Sequence, residues 1–326
     1  MSKFVTIYGG SGFVGRYIVQ RMAKEGWRIR VAVRRPNEAL FLKSYGSVGQ
    51  IEPVLCNIRD DDSVAAAMQG ANVVVNCVGT FDIRGKNNFE AIQVEGAGRI
   101  ARLAAAQGVE RMVHISAIGA DSGSDSVYAR SKAAGEDAVI EHMPNAVVLR
   151  PSVIFGAEDG LFNLFAGIAK WTFFVPLIGG DTRFQPVSVT DVAQAASIAI
   201  LGSVPAGVYE LGGPDVVTMR QLQTDIFDFI RRKRVLVPVP LWFASIKGWA
   251  FEWIERLSGG LFPAMLTRDQ VKMLGQDNVV SGDTKTLADL GIEPIGYMAV
   301  IPSYLWRFRP SGQYDAIKES ADNLGK

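Results

Sequence analysis

Histidine and cysteine are scarce: the chain holds two of each, His114 and His142, Cys56 and Cys77. A metal centre needs several such ligands at close spacing, and these four are too scattered to form one. Both cysteines lie in apolar stretches that read as strands or strand ends. No disulfide framework is expected, and a reducing cytosolic compartment fits. A dominant charge is also missing. Lys and Arg number 34 against 33 Asp and Glu, for a net charge of +1. No global field therefore points to nucleic acid or to an acidic partner. The uncharged window from Val192 to Tyr209 is interrupted by Gln, Ser, Gly and Pro, whereas a membrane span needs about 20 continuously apolar residues. Any membrane contact is expected to be peripheral. Neither an internal repeat nor a low-complexity tract stands out.

What the chain does have is alternation. Val/Ile-rich runs at 4–8, 29–33, 51–55, 72–78, 111–115 and 146–150 read as strands, and amphipathic segments near 13–25, 61–69, 88–107 and 126–142 read as helices. Near-continuous apolar strands separated by helices predict an α/β fold, a parallel sheet covered on both faces. The first strand begins at Phe4, so a chain starting at Met1 leaves no room for a cleaved signal or transit segment. After Arg150-Pro151 the rhythm changes to Gly, Pro and aromatic residues. Short strands are expected at Phe184–Val187, Val208–Leu211 and Val235–Val239, with helices near 191–201 and 218–231. The division expected is a first domain, 1–150, and a smaller mixed α/β domain, 151–326, with 185–211 returning elements to the first. An aromatic-rich stretch follows at 240–263, and a polar tail at 311–326.

The first strand runs into Gly9-Gly10-Ser11-Gly12-Phe13-Val14-Gly15 and then into a helix. Glycines at this spacing permit a tight turn, let backbone N–H groups approach a pyrophosphate, and let helix and strand pack closely. The helix N-terminus adds partial positive charge. Strand–loop–helix is the context that a dinucleotide-binding, Rossmann-type doubly wound sheet requires; a purely structural glycine turn is the alternative. The second strand ends in Arg34-Arg35, where an NAD site would carry Asp or Glu for the ribose 2′-hydroxyl. Arginine suits a 2′-phosphate instead, and Arg16 adds a second positive charge. NADPH (or NADP+) is therefore the expected cofactor, although a solvated arginine pair would leave the choice open. Asn57 and Ile58, after the third strand, are candidates for the adenine edge.

Tyr128 and Lys132 stand four residues apart at the start of the 126–142 helix, on one face. An adjacent ammonium is expected to lower the phenol pKa, which suits a proton donor for carbonyl reduction. The lysine can also bond the nicotinamide ribose. The glycine loop, Val78-Gly79, Tyr128/Lys132 and Leu149-Arg150-Pro151-Ser152 together resemble the extended or atypical short-chain dehydrogenase/reductases, over residues 4 to 215. That resemblance implies Tyr128, Lys132 and Ser116 as catalytic residues. It also implies Val78, Gly79, Ser116, Pro151, Ser152 and Val153 as cofactor-lining residues. Ser116 is the hydroxyl nearest the family's position after the fifth strand. A residue or two later, where that hydroxyl often falls, stand Ala117 and Ile118.

Four further segments, 89–96, 184–189, 277–281 and 302–307, resemble the 39-kDa accessory subunits of respiratory complex I and their bacterial counterparts. This resemblance spans nearly the whole chain. It implies a bound NADPH without assigned turnover, and other complex I subunits of the peripheral arm and quinone-site region as partners. It also implies a peripheral place on the inner face of a bacterial plasma membrane, or on the matrix side in mitochondria. Trp242, Phe243, Ile246, Trp249, Trp253 and Ile254 recur at three- and four-residue steps, giving either a core helix face or a docking surface. The loop Leu257–Pro263 adds apolar residues to that surface. The run Arg231–Arg234 is either a solvated helix end or a face for anionic lipid or an acidic subunit. Two functions remain open at this point: a non-catalytic NADPH-holding subunit, and a soluble NADPH-dependent reductase or epimerase.

Overall fold

The computed structural model describes residues 3–81, 85–257 and 267–314, with side chains at all of these except 250–252, 254–257 and 313. The chain gathers into two compact units. The first comprises Met1–Ser152, Val189–Gly212 and Val280–Pro294; the second comprises Val153–Ser188, Gly213–Val279 and Ile295–Lys326.

In the first unit, β1 (Phe4–Tyr8), α1 (Phe13–Lys24), β2 (Arg28–Val33), β3 (Ile51–Leu55), α2 (Asp61–Met68) and β4 (Val73–Asn76) follow in order. They are succeeded by α3 (Glu95–Ala106), β5 (Arg111–Ile115), α4 (Val127–His142) and β6 (Val147–Pro151). With the later strand Gly207–Leu211 these make one seven-stranded sheet. Its order is 207–211, β6, β5, β4, β1, β2, β3, and every neighbouring pair is parallel. The fold is α/β and doubly wound, as the alternation implied. The strand order reverses between β1 and β4, where sheets of this kind open a crevice beyond the strand C-termini.

Apolar residues dominate the strands because both sheet faces are covered: Val5, Ile7, Val31, Val74, Val75, Val113 and Val148 are all buried. Two of these helices, α2 and α4, begin where a side chain satisfies a first-turn N–H group. Asp60 accepts from the Ser63 N–H at 2.7 Å to open α2, and Ser126 Oγ accepts from the Ala129 N–H at 3.3 Å to open α4. β4 is shorter than the apolar run suggested, because Asn76 Oδ1 accepts from the Val78 N–H at 3.0 Å and turns the chain out of the sheet. The expected helix over 88–107 is two segments, a π-helical turn (Glu90–Val94) leading into α3. There α4 presses close: a Cβ on Gly135 would stand 2.2 Å from the Gln93 carbonyl oxygen.

The second unit has its own core of Phe155, Phe162, Phe184, Leu222, Phe227, Tyr297 and Tyr304. Its largest strand pair is parallel, Phe174–Ile178 with Val235–Val239. The helix Leu241–Leu257 turns an aromatic face outward: Trp242, Phe243, Ile246, Trp249 and Trp253 are exposed, while Ala244 is buried. The core reading of this stripe does not hold for those five side chains. The Ile254 side chain and the loop 258–263 lie outside the described residues, as does the tail from 315 onward. Among the described residues, no helix is long and apolar enough to cross a membrane, and no cluster of His, Cys, Asp and Glu is arranged to hold a metal ion.

Candidate functional site

The glycine loop sits at the β1/β4 switch point. Gly9 takes a left-handed conformation (φ +75), which a side chain would strain, and its N–H donates to Ala32 O at 3.0 Å. Gly12 N–H returns to Gly9 O at 3.0 Å, closing the turn. Each glycine has its own reason. A Cβ on Gly10 would meet Val31 Cγ1 at 2.9 Å, and one on Gly15 would meet Gly9 O at 2.5 Å. A Cβ on Gly12 would touch only Gly9 O, at 3.2 Å. Gly12 is the N-cap of α1 and provides no side-chain cap, so no cap side chain occupies the first-turn N–H groups. That is the arrangement that receives an anion at a helix N-terminus.

The three arginines differ. Arg34 and Arg35 are exposed just past β2, whose Ala32 pairs with Tyr8 immediately before the loop. Arg35 is bound to Glu38 at 3.0 Å. Arg16 folds back on the loop, donating to Ser11 O at 3.1 Å and Gly12 O at 3.3 Å, with its guanidinium 5.1 Å from the Phe41 ring. Asn57 and Ile58 follow β3; Asn57 Oδ1 accepts from the Arg59 N–H, and Ile58 is buried.

On the other side of the switch point lie Val78 and Gly79, after β4. A Cβ on Gly79 would stand 3.9 Å from Lys132 Nζ. Lys132 is buried, and its ammonium donates to Ile115 O at 3.4 Å. Burial pulls its pKa down to about 8, against the opposing pull of Glu136 and Cys77. The Tyr128 ring stacks on Phe81, with centroids 5.3 Å apart, and meets Phe89 edge-on at 5.8 Å. Desolvation pushes its phenol up to about 12. The expected lowering by Lys132 is not what the structure shows: the ammonium lies 5.8 Å from the ring centroid, and burial outweighs it. Ser116 continues β5, its N–H donating to Leu149 O at 2.8 Å. Its buried Oγ has no hydrogen-bond partner, a costly state for a hydroxyl. Pro151 ends β6, and the buried Ser152 donates its N–H to Leu211 O at 2.9 Å. Val153 belongs to the second unit, where its N–H donates to Asn278 Oδ1 at 3.2 Å.

Several residues around this constellation were missed by sequence reasoning. Gln93, buried in the π-helical turn, donates to Thr80 O at 2.7 Å and accepts from Ser131 Oγ at 2.9 Å. It thereby ties the chain beyond Gly79 to the Tyr128/Lys132 helix. His114 lies beside Asn76, with 3.2 Å between Nδ1 and Nδ2. Burial, helped by the Lys132 charge, holds its pKa down to about 3. The Cys77 thiol is pushed up to about 12 by burial, which disfavours the thiolate.

The sequence profile of the NAD dependent epimerase/dehydratase family matches residues 5–212. Over 315 residues the chain is 35% identical to the mitochondrial NADH dehydrogenase (ubiquinone) 1 alpha subcomplex subunit 9 of Arabidopsis thaliana, covering 94% of this chain and 78% of that one. The chain belongs to the NAD dependent epimerase/dehydratase family, in its complex I 39-kDa subunit branch. A second relative outside that branch is the ceramide reductase of Caulobacter vibrioides, 33% identical over 211 residues, covering 64% of this chain and 63% of its own. Among solved structures, the UDP-glucose 4-epimerase of Thermus thermophilus, in complex with NAD, superposes with a TM-score of 0.69 at 18% identity. That match covers 94% of this chain and 99% of the epimerase, and it shows the shared fold.

Proposed function

We propose that the chain holds NADP(H) in its first unit and acts as a non-catalytic accessory subunit of respiratory complex I. In this reading it stabilises the peripheral arm near the membrane. The observation that carries the binding half is the Gly9–Gly15 turn, closed onto an uncapped helix N-terminus at the switch point of the sheet. The residues present suit a dinucleotide. Gly12 leaves room for a pyrophosphate, the orphaned Ser116 Oγ gains a partner, and Lys132 beside Gly79 reaches a ribose hydroxyl. Arg34 takes the 2′-phosphate, since Arg35 is bound to Glu38. When bound, the nicotinamide supplies a hydride; the surrounding residues favour holding it over using it. A proton donor works best with a pKa near the working pH, and Tyr128, pushed up to about 12 between two phenylalanines, is far from that.

The partnership rests on relatedness across nearly the whole chain to subunits of that assembly. It is supported by the outward aromatic face of the Leu241–Leu257 helix, a side-chain set enriched at protein and membrane–water interfaces. The partners assigned are other subunits of the peripheral arm and quinone-site region, with lipid at the margin. The location is the inner face of a bacterial plasma membrane, or the matrix face of its mitochondrial counterpart. The test is native electrophoresis of detergent-solubilised membranes carrying the tagged chain, followed by release of its nucleotide. Co-migration with NADH dehydrogenase activity and release of NADPH are expected. Migration of the chain alone, away from that activity, would sink the reading.

A second reading, a soluble NADPH-dependent reductase or epimerase, draws on the intact Tyr128/Lys132 pair with the unpartnered Ser116 hydroxyl nearby. The ceramide reductase relative adds to it. There Tyr128 would move the proton, Lys132 would hold the ribose, and Ser116 would polarise the carbonyl. It requires NADPH turnover by the purified chain that Tyr128→Phe abolishes.

A further inference from the structure

Beneath the Tyr128/Lys132 face lies a second set of charges. Glu136 follows Lys132 by one turn of α4, and both side chains are buried. Arg150 on β6 grips Glu136 in a fork, with Nε at 2.9 and 3.1 Å from the two carboxylate oxygens and Nη2 at 2.6 Å from one. On the other side, Arg150 Nη1 lies 3.9 Å from the buried Glu210 of the 207–211 strand. Glu210 in turn accepts from the Ser281 N–H at 2.7 Å, which brings in the 280–294 segment. Glu136 and Glu210 against Arg150 leave one negative charge over, and the buried cation one turn away is Lys132. A buried carboxylate without its counter-charge is costly, and among the described residues a protonated Lys132 supplies that counter-charge.

We propose that Glu136, fixed by Arg150 and Glu210, is a positioning residue that keeps the Lys132 ammonium charged in its buried seat beside Gly79. Among the described residues, the other titratable groups around Lys132 supply no negative charge at neutral pH. Cys77 beyond β4 and Tyr128 on α4 are each pushed up to about 12, and His114 on β5 is held neutral. Asp137 is exposed and acts on Arg150. Glu136 is thus the carboxylate that opposes the downward pull of burial on Lys132. The proposal extends the reading of Lys132 as a ribose clamp, but its first readout does not need that reading.

The experiment is a carbon-13 NMR titration of the full chain with labelled lysine, from pH 6 to 10. The Lys132 signal is identified by its loss in Lys132→Met. The wild-type midpoint is expected near 8, and in Glu136→Gln about one pH unit or more lower. An unchanged midpoint overturns the proposal. Should Glu136→Gln fail to fold, the Glu136 carboxyl carbon is followed in the unaltered chain. It is expected to inflect at the Lys132 midpoint, and a flat response there overturns the proposal. The second readout is NADPH affinity: Glu136→Gln is expected to bind about tenfold more weakly at pH 8 and to recover to within about threefold at pH 6. A shifted NMR midpoint with no matching change in affinity upholds the role of Glu136 and sinks the ribose clamp.

Discussion

Gly15 packs so closely against Gly9 that a Cβ on it would stand 2.5 Å from the Gly9 carbonyl oxygen and 2.6 Å from Gly10 Cα. Both contacts are to backbone, so neither can yield without moving β1 or α1. Gly15→Ala is therefore expected to destabilise the chain by about 3 kcal/mol, at the upper end of overpacking costs. Gly12 is different, since its only close neighbour is Gly9 O at 3.2 Å. Gly12→Ala is expected to cost no more than about 1 kcal/mol in denaturant unfolding, while weakening NADPH more than about tenfold by blocking close approach to the pyrophosphate. Equal losses of stability in the two variants would remove the distinction between a packing glycine and a binding one.

The proposed preference for NADP(H) over NAD(H) rests on Arg34. A charge-assisted bond to a 2′-phosphate contributes about 1.5–3 kcal/mol, so Arg34→Asp is expected to weaken NADPH about 10-fold to 100-fold. NADH, which carries a hydroxyl there, is expected to change by less than about threefold. Arg35→Ala removes only an exposed pair with Glu38, and its effect on stability is expected within about 0.5 kcal/mol. Fluorescence titration with both nucleotides reads the affinities, and urea unfolding reads the stability. Parallel losses for NADPH and NADH in Arg34→Asp would end the case for 2′-phosphate recognition.

The sheet was legible because its strands are rich in Val, Ile and Leu and alternate with helical segments, and the loop because three glycines stand between a strand and a helix. Other features were hidden for identifiable reasons. Phe174–Ile178 carries Pro176, which is tolerated because the strand has one partner, Val235–Val239, and the sheet has only edges. The π-helical turn at Glu90–Val94 leaves no mark in a hydrophobic period. Its close packing is visible only once Gly135 is seen against the Gln93 carbonyl. Glu136 and Glu210 each read alone as an ordinary charged residue, and nothing in their spacing joins them to Arg150. Tyr128 was misjudged because the four-residue spacing gives the lysine neighbour but not Phe81 and Phe89, whose packing sets the phenol's environment.

Buried His114 makes a prediction about acid. Its pKa is held down to about 3 by burial and by Lys132, against about 6.5 for an unfolded histidine. Between those values the unfolded chain binds a proton that the folded chain refuses, so stability falls as pH drops from 6.5 toward 3. One such group changes unfolding free energy by up to about 1.4 kcal/mol per pH unit. Urea unfolding at pH 7 and pH 5 is therefore expected to differ by about 2 kcal/mol on account of this residue. His114→Gln keeps a side chain that can pair with Asn76 but does not titrate. It is expected to be less stable at pH 7 and to lose much less on acidification. If the variant and the unaltered chain lose the same amount between those pH values, the acid sensitivity belongs to other groups, and His114 is not the neutral histidine that the geometry describes.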